Sequence, residues 1–302
     1  WSSDVCSSDL VLADLFLPYT WRKRLGDLME KVLSIAGSDS TGGAGIQADL
    51  KTFEEYGVFG FSSLTSIVTM DPTTGWSHEV TELPETLLEK QLISVFAGGP
   101  VAALKTGMMG NEQNIKMASK YIKQEKIQKV VIDPVIACKG TAQILQPKSV
   151  EGLKKDLLPL ALVATPNLIE AGILSGLGEI SSVAEMEEAA KRIVQMGAKH
   201  VVVKGGHRLA GEKALDLFYD GHTAHLLENE LYPTDYNHGA GCTFSAAITA
   251  GLAKGYSVLE AVTLAKKFVA AAIKHGIQVN PYVGHVWHGA YTHAEQRMRK
   301  KA

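Results

Sequence analysis

From Lys31 onward, short β-branched runs alternate with longer amphipathic stretches, and this alternation limits the fold more tightly than any other property of the chain. It is the pattern of βαβ units, in which a mostly parallel sheet carries helices on both faces. The predicted fold class is therefore α/β, in three layers. Strands are predicted at Val32 to Ala36, Gly60 to Val68, Ala102 to Thr106, Lys129 to Asp133, Leu162 to Thr165 and His200 to Lys204. A hairpin is predicted from Ala214 to Leu227, turning at Asp220-Gly221. Helices fit Ile46 to Tyr56, Pro84 to Phe96, Asn111 to Gln124, Val150 to Leu157, Asn167 to Leu174, Val183 to Met196, Cys242 to Lys254 and Val258 to His275.

With 302 residues, of which 46% are hydrophobic and 21% charged, the chain can bury a sizeable core, and no linker composition divides it. One domain is expected over residues 29–302. The formal net charge of -2 carries no basic excess, so neither nucleic acid nor an acidic membrane is an expected partner. Cys6, Cys138 and Cys242 lie far apart with no paired spacing, which argues against a disulfide framework or structural zinc and fits a reducing cytoplasm. No apolar run reaches the ~20 residues of a membrane helix, and the stretch from Cys242 to Ala253 reads as a buried helix. In the first 28 residues Ser2-Ser3-Asp4 recurs as Ser7-Ser8-Asp9, and the basic Arg22-Lys23-Arg24 follows the apolar stretch instead of preceding it. This segment is expected to be a non-native or disordered leader, with Met29 as the start.

In open α/β sheets ligands bind outside the carboxyl ends of the strands, so the loops there are the candidates for chemistry. Asn237-His238-Gly239-Ala240-Gly241-Cys242-Thr243 runs straight into an Ala-rich helix. Glycines let its N–H groups converge while the helix terminus adds roughly half a positive charge, which makes an anion hole. Cys242 at that terminus is expected to have its thiol pKa lowered, toward use as a base. The plain alternative is a glycine-rich connection with a space-filling cysteine. Gly43-Ala44-Gly45-Ile46-Gln47-Ala48 fits a dinucleotide fingerprint, but Asp39 would face the pyrophosphate and no acidic residue follows at the required distance. Ser38 and Asp39 suit a polar substituent of a small substrate better, unless Asp39 caps a turn. Asn167 and Glu170 share a helix face and suit a Mg²⁺-water shell, or equally a capping box. Asp133 is a second candidate to assist metal or phosphate. Lys204-Gly205-Gly206 ends a strand where Lys can offer charge to phosphates, or simply a solvated turn.

Taken together, these segments resemble the ribokinase-like superfamily, in its branch of hydroxymethylpyrimidine kinases and bacterial pyridoxal kinases. The resemblance runs from about Lys31 to at least Tyr291. It is carried by Ala36-Gly37-Ser38-Asp39, Gly42 to Thr52, Lys105-Thr106-Gly107-Met108, Asp133-Pro134-Val135, Thr165-Pro166-Asn167-Leu168, Lys204-Gly205-Gly206-His207 and Gly239-Ala240-Gly241-Cys242-Thr243. It implies a ribokinase-like three-layer α/β/α fold, ATP with Mg²⁺, and transfer of phosphate to a hydroxymethyl group. By the same resemblance Cys242 is the base, while Gly239, Ala240 and Gly241 steady the transferring phosphoryl. By it too Asn167 and Glu170 serve Mg²⁺ and ATP, with Asp133 kept as the second candidate for the metal. Lys204, Gly205, Gly206, His207, Arg208 and Asp216 line the nucleotide. Gly37, Ser38, Asp39, Met70, Met108 and Val135 face the small-molecule substrate, and relatives suggest a homodimer.

Three departures point toward the pyridoxal subgroup. Met70-Asp71 stands where pyrimidine kinases show Gln-Asn, and Gly239-Ala240-Gly241-Cys242 where they show Gly-Thr-Gly-Cys. Cys138, on a Gly-rich stretch from Val135 to Gln146 that is a lid candidate, resembles that subgroup's second cysteine, able to trap an aldehyde as a hemithioacetal; alternatively it is an incidental loop residue. A pyrimidine kinase of thiamine synthesis and a non-catalytic vitamin-binding protein stay open beside this reading.

Overall fold

The computed structural model describes residues 29–136, 147–206, 208–209 and 211–293. In its inner strands successive residues, not alternate ones, are apolar, because helices cover both faces. Strand β1 (Lys31–Asp39) pairs in parallel with β2 (Phe59–Asp71) on one side and with β4 (Ala103–Thr106) on the other. Parallel pairing continues through β5 (Val130–Ile132), β6 (Val163–Ala164) and β7 (His200–Gly206). Val130, Val131 and Ile132 are all 0% exposed. The first and last of these pack with Leu88, Leu92 and Ile115, and Val131 packs on the opposite face with Phe53, Phe244 and Phe268.

Both edges of the sheet are antiparallel. On one, β3 (Ser77–Glu82) turns back against β2 through a tight bend at 72–76; on the other, β8 (Lys213–Tyr219) and β9 (Ala224–Glu230) form the expected hairpin around Asp220-Gly221. The full order in the nine-stranded sheet is β3-β2-β1-β4-β5-β6-β7-β8-β9. Strand β3 was not expected, since five of its six side chains are exposed and it shows no apolar alternation. It forms because β2 runs on to Asp71, offering a free ladder from Ser66 to Asp71. The helix expected from Val150 to Leu157 is also different: a short helix, Pro147–Gly152, passes into a π-turn at Leu153–Leu157 and a 3₁₀ turn at Leu158–Leu160. Pro159 limits its continuation by lacking an N–H.

Helices α1 (Gly45–Glu55), α7 (Ala240–Ala253) and α8 (Val258–Lys274) cover the face holding Phe53 and Phe268. Helices α2 (Glu85–Ala97), α3 (Glu112–Gln124), α5 (Leu168–Ser175) and α6 (Val183–Gln195) cover the other; α4 is the short helix Pro147–Gly152. Every residue of α7 from Thr243 to Ala253 is buried, as its small apolar composition suggested. Small side chains allow the close approach: a Cβ on Gly251 would lie 3.1 Å from that of Ala261. The expected leader at 1–28 and the lid candidate beyond Ile136, with Cys138, lie outside the described residues, as does His207.

Candidate active site

Two glycine turns meet at the carboxyl end of the sheet. The loop after β1, residues 39–45, packs against the turn that precedes α7, so closely that a Cβ on Gly239 would stand 1.8 Å from the Gly43 carbonyl oxygen. Gly239 is the N-cap of α7 with φ 85°, a left-handed conformation that favours glycine. Asp39 fastens the two turns together. Its Oδ1 accepts hydrogen bonds from the Thr41 N–H at 2.8 Å and the Thr41 hydroxyl at 2.7 Å, and its Oδ2 accepts from the Ala44 N–H and lies 2.8 Å from His238 Nε2. Burial works against the charged form, yet the hydrogen bonds from His238 and Thr41 outweigh it and hold Asp39 well below the usual carboxylate range. Asp39 thus caps its own loop and anchors its neighbour, while still lining the cavity.

The start of α7 was expected to be an anion hole, and its first-turn amides can be followed one by one. The Ala240 N–H is taken by the Asn237 carbonyl and the Thr243 N–H by the Gly239 carbonyl, so Gly241 and Cys242 carry the open amides of the first turn. Cys242 is partly exposed to the cavity, and the Gly45 N–H is directed at its sulfur. Its protonation corrects the expectation of a lowered thiol. Burial, reinforced by Asp49, pushes the thiol up to about 12, and the opposing pull of Lys105 is too weak to reverse it. Desolvation outweighs the helix terminus here.

Lys204, at the end of β7, is paired with Asp133 at 2.9 Å. The Thr165 hydroxyl donates to the same carboxylate at 3.1 Å, as does the Ser245 hydroxyl. Asn167 and Glu170 form a full capping box on α5: the Asn167 N–H donates to Glu170, and the Glu170 N–H to Asn167. The cap and the cavity face coexist, since both residues line the cavity. Burial pushes Glu170 up to about 7 against the attraction of Lys204. Among the described residues no group of three or more His, Cys, Asp or Glu is arranged to hold a metal directly. The donor chemistry still fits magnesium, which accepts one or two carboxylates and keeps most of its waters. Asp216 pairs with Lys266 at 2.7 Å and accepts the Gly206 N–H at 3.2 Å. Gly205, Gly206 and Arg208 line the same end.

At the other end stand Gly37, Met70, Met108 and Val135. Ser38 is directed elsewhere, its hydroxyl accepting the Gln47 amide at 2.8 Å, and it does not line the cavity. Apart from Ser38, the expected site residues among those described border one cavity of about 840 Å³. Sequence reasoning assigned no role to His78, His238, Lys105, Asp49 or Lys266, all now at or under the site. For Asp49 and Lys266 a signal existed: each is a lone charge on the buried face of an amphipathic helix, among Ile46, Thr52 and Phe53 in α1 and among Val262, Ala265 and Phe268 in α8.

Among the described residues no helix is long and apolar enough to cross a membrane. A family model described as phosphomethylpyrimidine kinase matches residues 39–287. The pyridoxine kinase of Bacillus subtilis is 52% identical over 262 residues, covering 87% of this chain and 97% of that protein. The hydroxymethylpyrimidine/phosphomethylpyrimidine kinase of Haemophilus influenzae is 41% identical over 268 residues, 87% of this chain and 98% of that one. In solved structures, the Bacillus subtilis pyridoxal kinase in its ADP complex superposes with a TM-score of 0.84 at 51% identity, covering 87% and 98% of the two chains. The Staphylococcus aureus pyridoxal kinase with AMP-PCP and pyridoxal gives 0.82 at 50% identity, covering 87% and 95%. With a ribokinase-like sheet and these likenesses over most of its length, the chain belongs to the phosphomethylpyrimidine kinase family.

Proposed function

We propose that this chain is an ATP-dependent kinase that phosphorylates the hydroxymethyl group of pyridoxal or pyridoxine. The observation that carries the reading is the junction of the two glycine turns, where open amides and the Cys242 sulfur face one cavity between a polar, charge-lined end and an end with Met70, Met108 and Val135. Phosphoryl transfer asks mainly for alignment and charge stabilisation. The Gly241 and Cys242 N–H groups supply hydrogen bonds where negative charge grows. Lys204 offers a point charge to the phosphates, with Gly205, Gly206, Arg208 and Asp216 along the nucleotide. Asp133 and Glu170 would hold Mg²⁺, which would neutralise phosphate charge. Cys242 accepts the hydroxymethyl proton as thiolate; because its thiol rests near 12, turnover should rise as the pH climbs above neutral.

Preference for a pyridine over an aminopyrimidine rests on Met70. It sits in register with His78 across β2 and β3, both on the cavity, and its thioether offers no amide to an aminopyrimidine edge. Pyrimidine phosphorylation is the second reading, favoured by the 41% identity to the Haemophilus enzyme. On either reading the enzyme is cytoplasmic and works as a homodimer. The test is ATP consumption by the purified chain with Mg²⁺ and pyridoxal, pyridoxine or hydroxymethylpyrimidine at matched concentrations. Preference for the B6 compounds supports the proposal, preference for the pyrimidine moves the enzyme to thiamine synthesis, and no turnover with any of them defeats both. Cys242→Ala should abolish turnover and leave nucleotide affinity nearly intact; substantial residual activity would remove Cys242 from the role of base.

A further inference from the structure

At the polar end of the cavity, two strands and a helix are joined by one lysine that no step above uses. Between β7 and β8 the register runs Lys204 opposite Asp216 and then Gly206 opposite Leu215, so Gly205 is an extra residue in the ladder. This is a β-bulge, which re-aims the end of a strand. It needs glycine twice: a Cβ on Gly205 would stand 2.5 Å from the Leu215 carbonyl oxygen, and Gly206 has φ 56°. Asp216 closes the bulge, its Oδ1 accepting the Gly206 N–H at 3.2 Å.

Asp216 is in turn held from α8. Lys266 Nζ donates to Asp216 Oδ2 at 2.7 Å and to the Ala214 carbonyl at 3.0 Å, while the Lys266 carbonyl accepts the Asn229 side-chain amide of β9 at 3.1 Å. One and two turns further along α8, Val269, Ala270 and Ile273 share the helix face of Lys266, and all four line the cavity. As a device for stability the ion pair is poor, because desolvating two charges costs about as much as their attraction returns. Its place between an apolar wall suited to a planar base and a glycine turn suited to phosphates gives it another use.

We propose that Lys266 is a positioning residue for the nucleotide: acting through Asp216, it fixes the Gly205-Gly206 bulge against the apolar face of α8 and so sets the span between phosphate and base. The inference rests on the reading of this end of the cavity as the ATP site. Lys266 is not itself the charge offered to phosphate. Two of its three ammonium protons go to Asp216 and Ala214, and its charge is matched by the carboxylate. The lysine holds the carboxylate, and the carboxylate holds the turn.

The experiment measures the Kd of Mg-ATP by calorimetry with the purified full chain, beside kcat and the KM values for ATP and pyridoxal. Lys266→Met and Asp216→Leu should each weaken ATP binding about tenfold, the cost of one lost hydrogen bond to a charged group. The KM for ATP should rise by a similar factor, with smaller changes in kcat and in the KM for pyridoxal. Because the two residues act in series, the double variant Lys266→Met/Asp216→Leu should match the larger single loss, not the product of the two. It leaves no lone buried charge, so it also covers the case in which a single variant fails to fold. Unchanged ATP affinity in any folded variant overturns the proposal. Tighter binding in Asp216→Leu with weaker binding in Lys266→Met overturns it too, since Lys266 would then be a bare charge facing phosphate. Equal losses in kcat and both KM values would mark a merely structural pair and have the same force. A wild-type chain that does not bind ATP would defeat the nucleotide reading as well, whereas wild-type binding with unaffected variants defeats this proposal alone.

Discussion

Replacing Gly239 by Ala tests whether the meeting of the two glycine turns organises the site. The substitution acts in two ways. At φ 85° an alanine is strained by about 1–2 kcal/mol. Its Cβ would also lie 1.8 Å from the Gly43 carbonyl oxygen, where real Cβ atoms essentially never come under 3.0 Å, so the turns must part by about 1.2 Å. The obstacle is backbone and cannot rotate away. That movement takes the Gly241 and Cys242 amides with it, because both follow Gly239 in the same helical turn. A misplacement of ~1 Å costs roughly 10²-fold, and loss of an oxyanion-hole donor ~10²–10³-fold. The expected result is a fall of at least ~10²-fold in kcat for ATP-dependent phosphorylation of pyridoxal, with the melting temperature lowered by about 2–8 °C. Steady-state ATP consumption and thermal unfolding measure the two effects on one preparation. A folded Gly239→Ala enzyme with near wild-type kcat would refute the argument, since the turns would then not need their observed contact.

Asp39→Asn should cost ~2–3 kcal/mol at neutral pH, because three donors and His238 lose a charged acceptor. Asp39 is held below the usual range when folded, so its contribution is complete above the unfolded pKa and fades as pH falls through the folded one. In denaturant titrations the gap between wild type and variant should therefore narrow in acid; a gap independent of pH would count against the clamp. Glu170 works in the opposite sense. Its folded pKa of about 7 lies above the reference 4.5, so the folded chain binds more protons between those values and loses stability as pH rises through them. Glu170→Gln, which stays neutral, should remove a decline on the order of 3 kcal/mol, and equal slopes for both proteins would exclude the effect.

The sheet was largely legible because its inner strands are continuous β-branched runs separated by amphipathic helices. Strand β3 was not, since an edge strand with exposed polar side chains is defined by its neighbour's free ladder, not by its own composition. The site divides in the same way. Gly239 to Cys242, Asn167 with Glu170, and Lys204-Gly205-Gly206 announced themselves because glycines and caps act locally. The charge pairs did not: Lys105 and Asp49 are 56 positions apart, and His238 and Asp39 are 199 apart, so no local pattern links them. Ser38 and the Cys242 thiol differ from expectation for separate reasons: Gln47 takes up the Ser38 hydroxyl, and at the thiol burial outweighs the helix terminus.

Three lysines border the site, Lys105 and Lys266 buried and Lys204 partly exposed, each already paired with a carboxylate, and an anionic nucleotide must compete with those pairs. Breaking a buried pair by removing one partner leaves an uncompensated charge, so the lysine that can respond is the one whose carboxylate keeps other partners. Among the described residues, Asp49 would retain only the Ser34 hydroxyl on one oxygen, with the other already unpartnered. Asp216 would keep only the Gly206 N–H there, at 3.2 Å. Of the three, Asp133 alone holds two hydroxyls among the described residues, Thr165 on Oδ1 and Ser245 on Oδ2. Its lysine is also the most accessible, with Lys204 15% exposed against 0% for Lys105 and 10% for Lys266. Lys204 can therefore turn from Asp133 at least cost, while Lys105 and Lys266 stay where they are, and this asymmetry supports the proposal that Lys204, and not the other two, is the cation offered to phosphate.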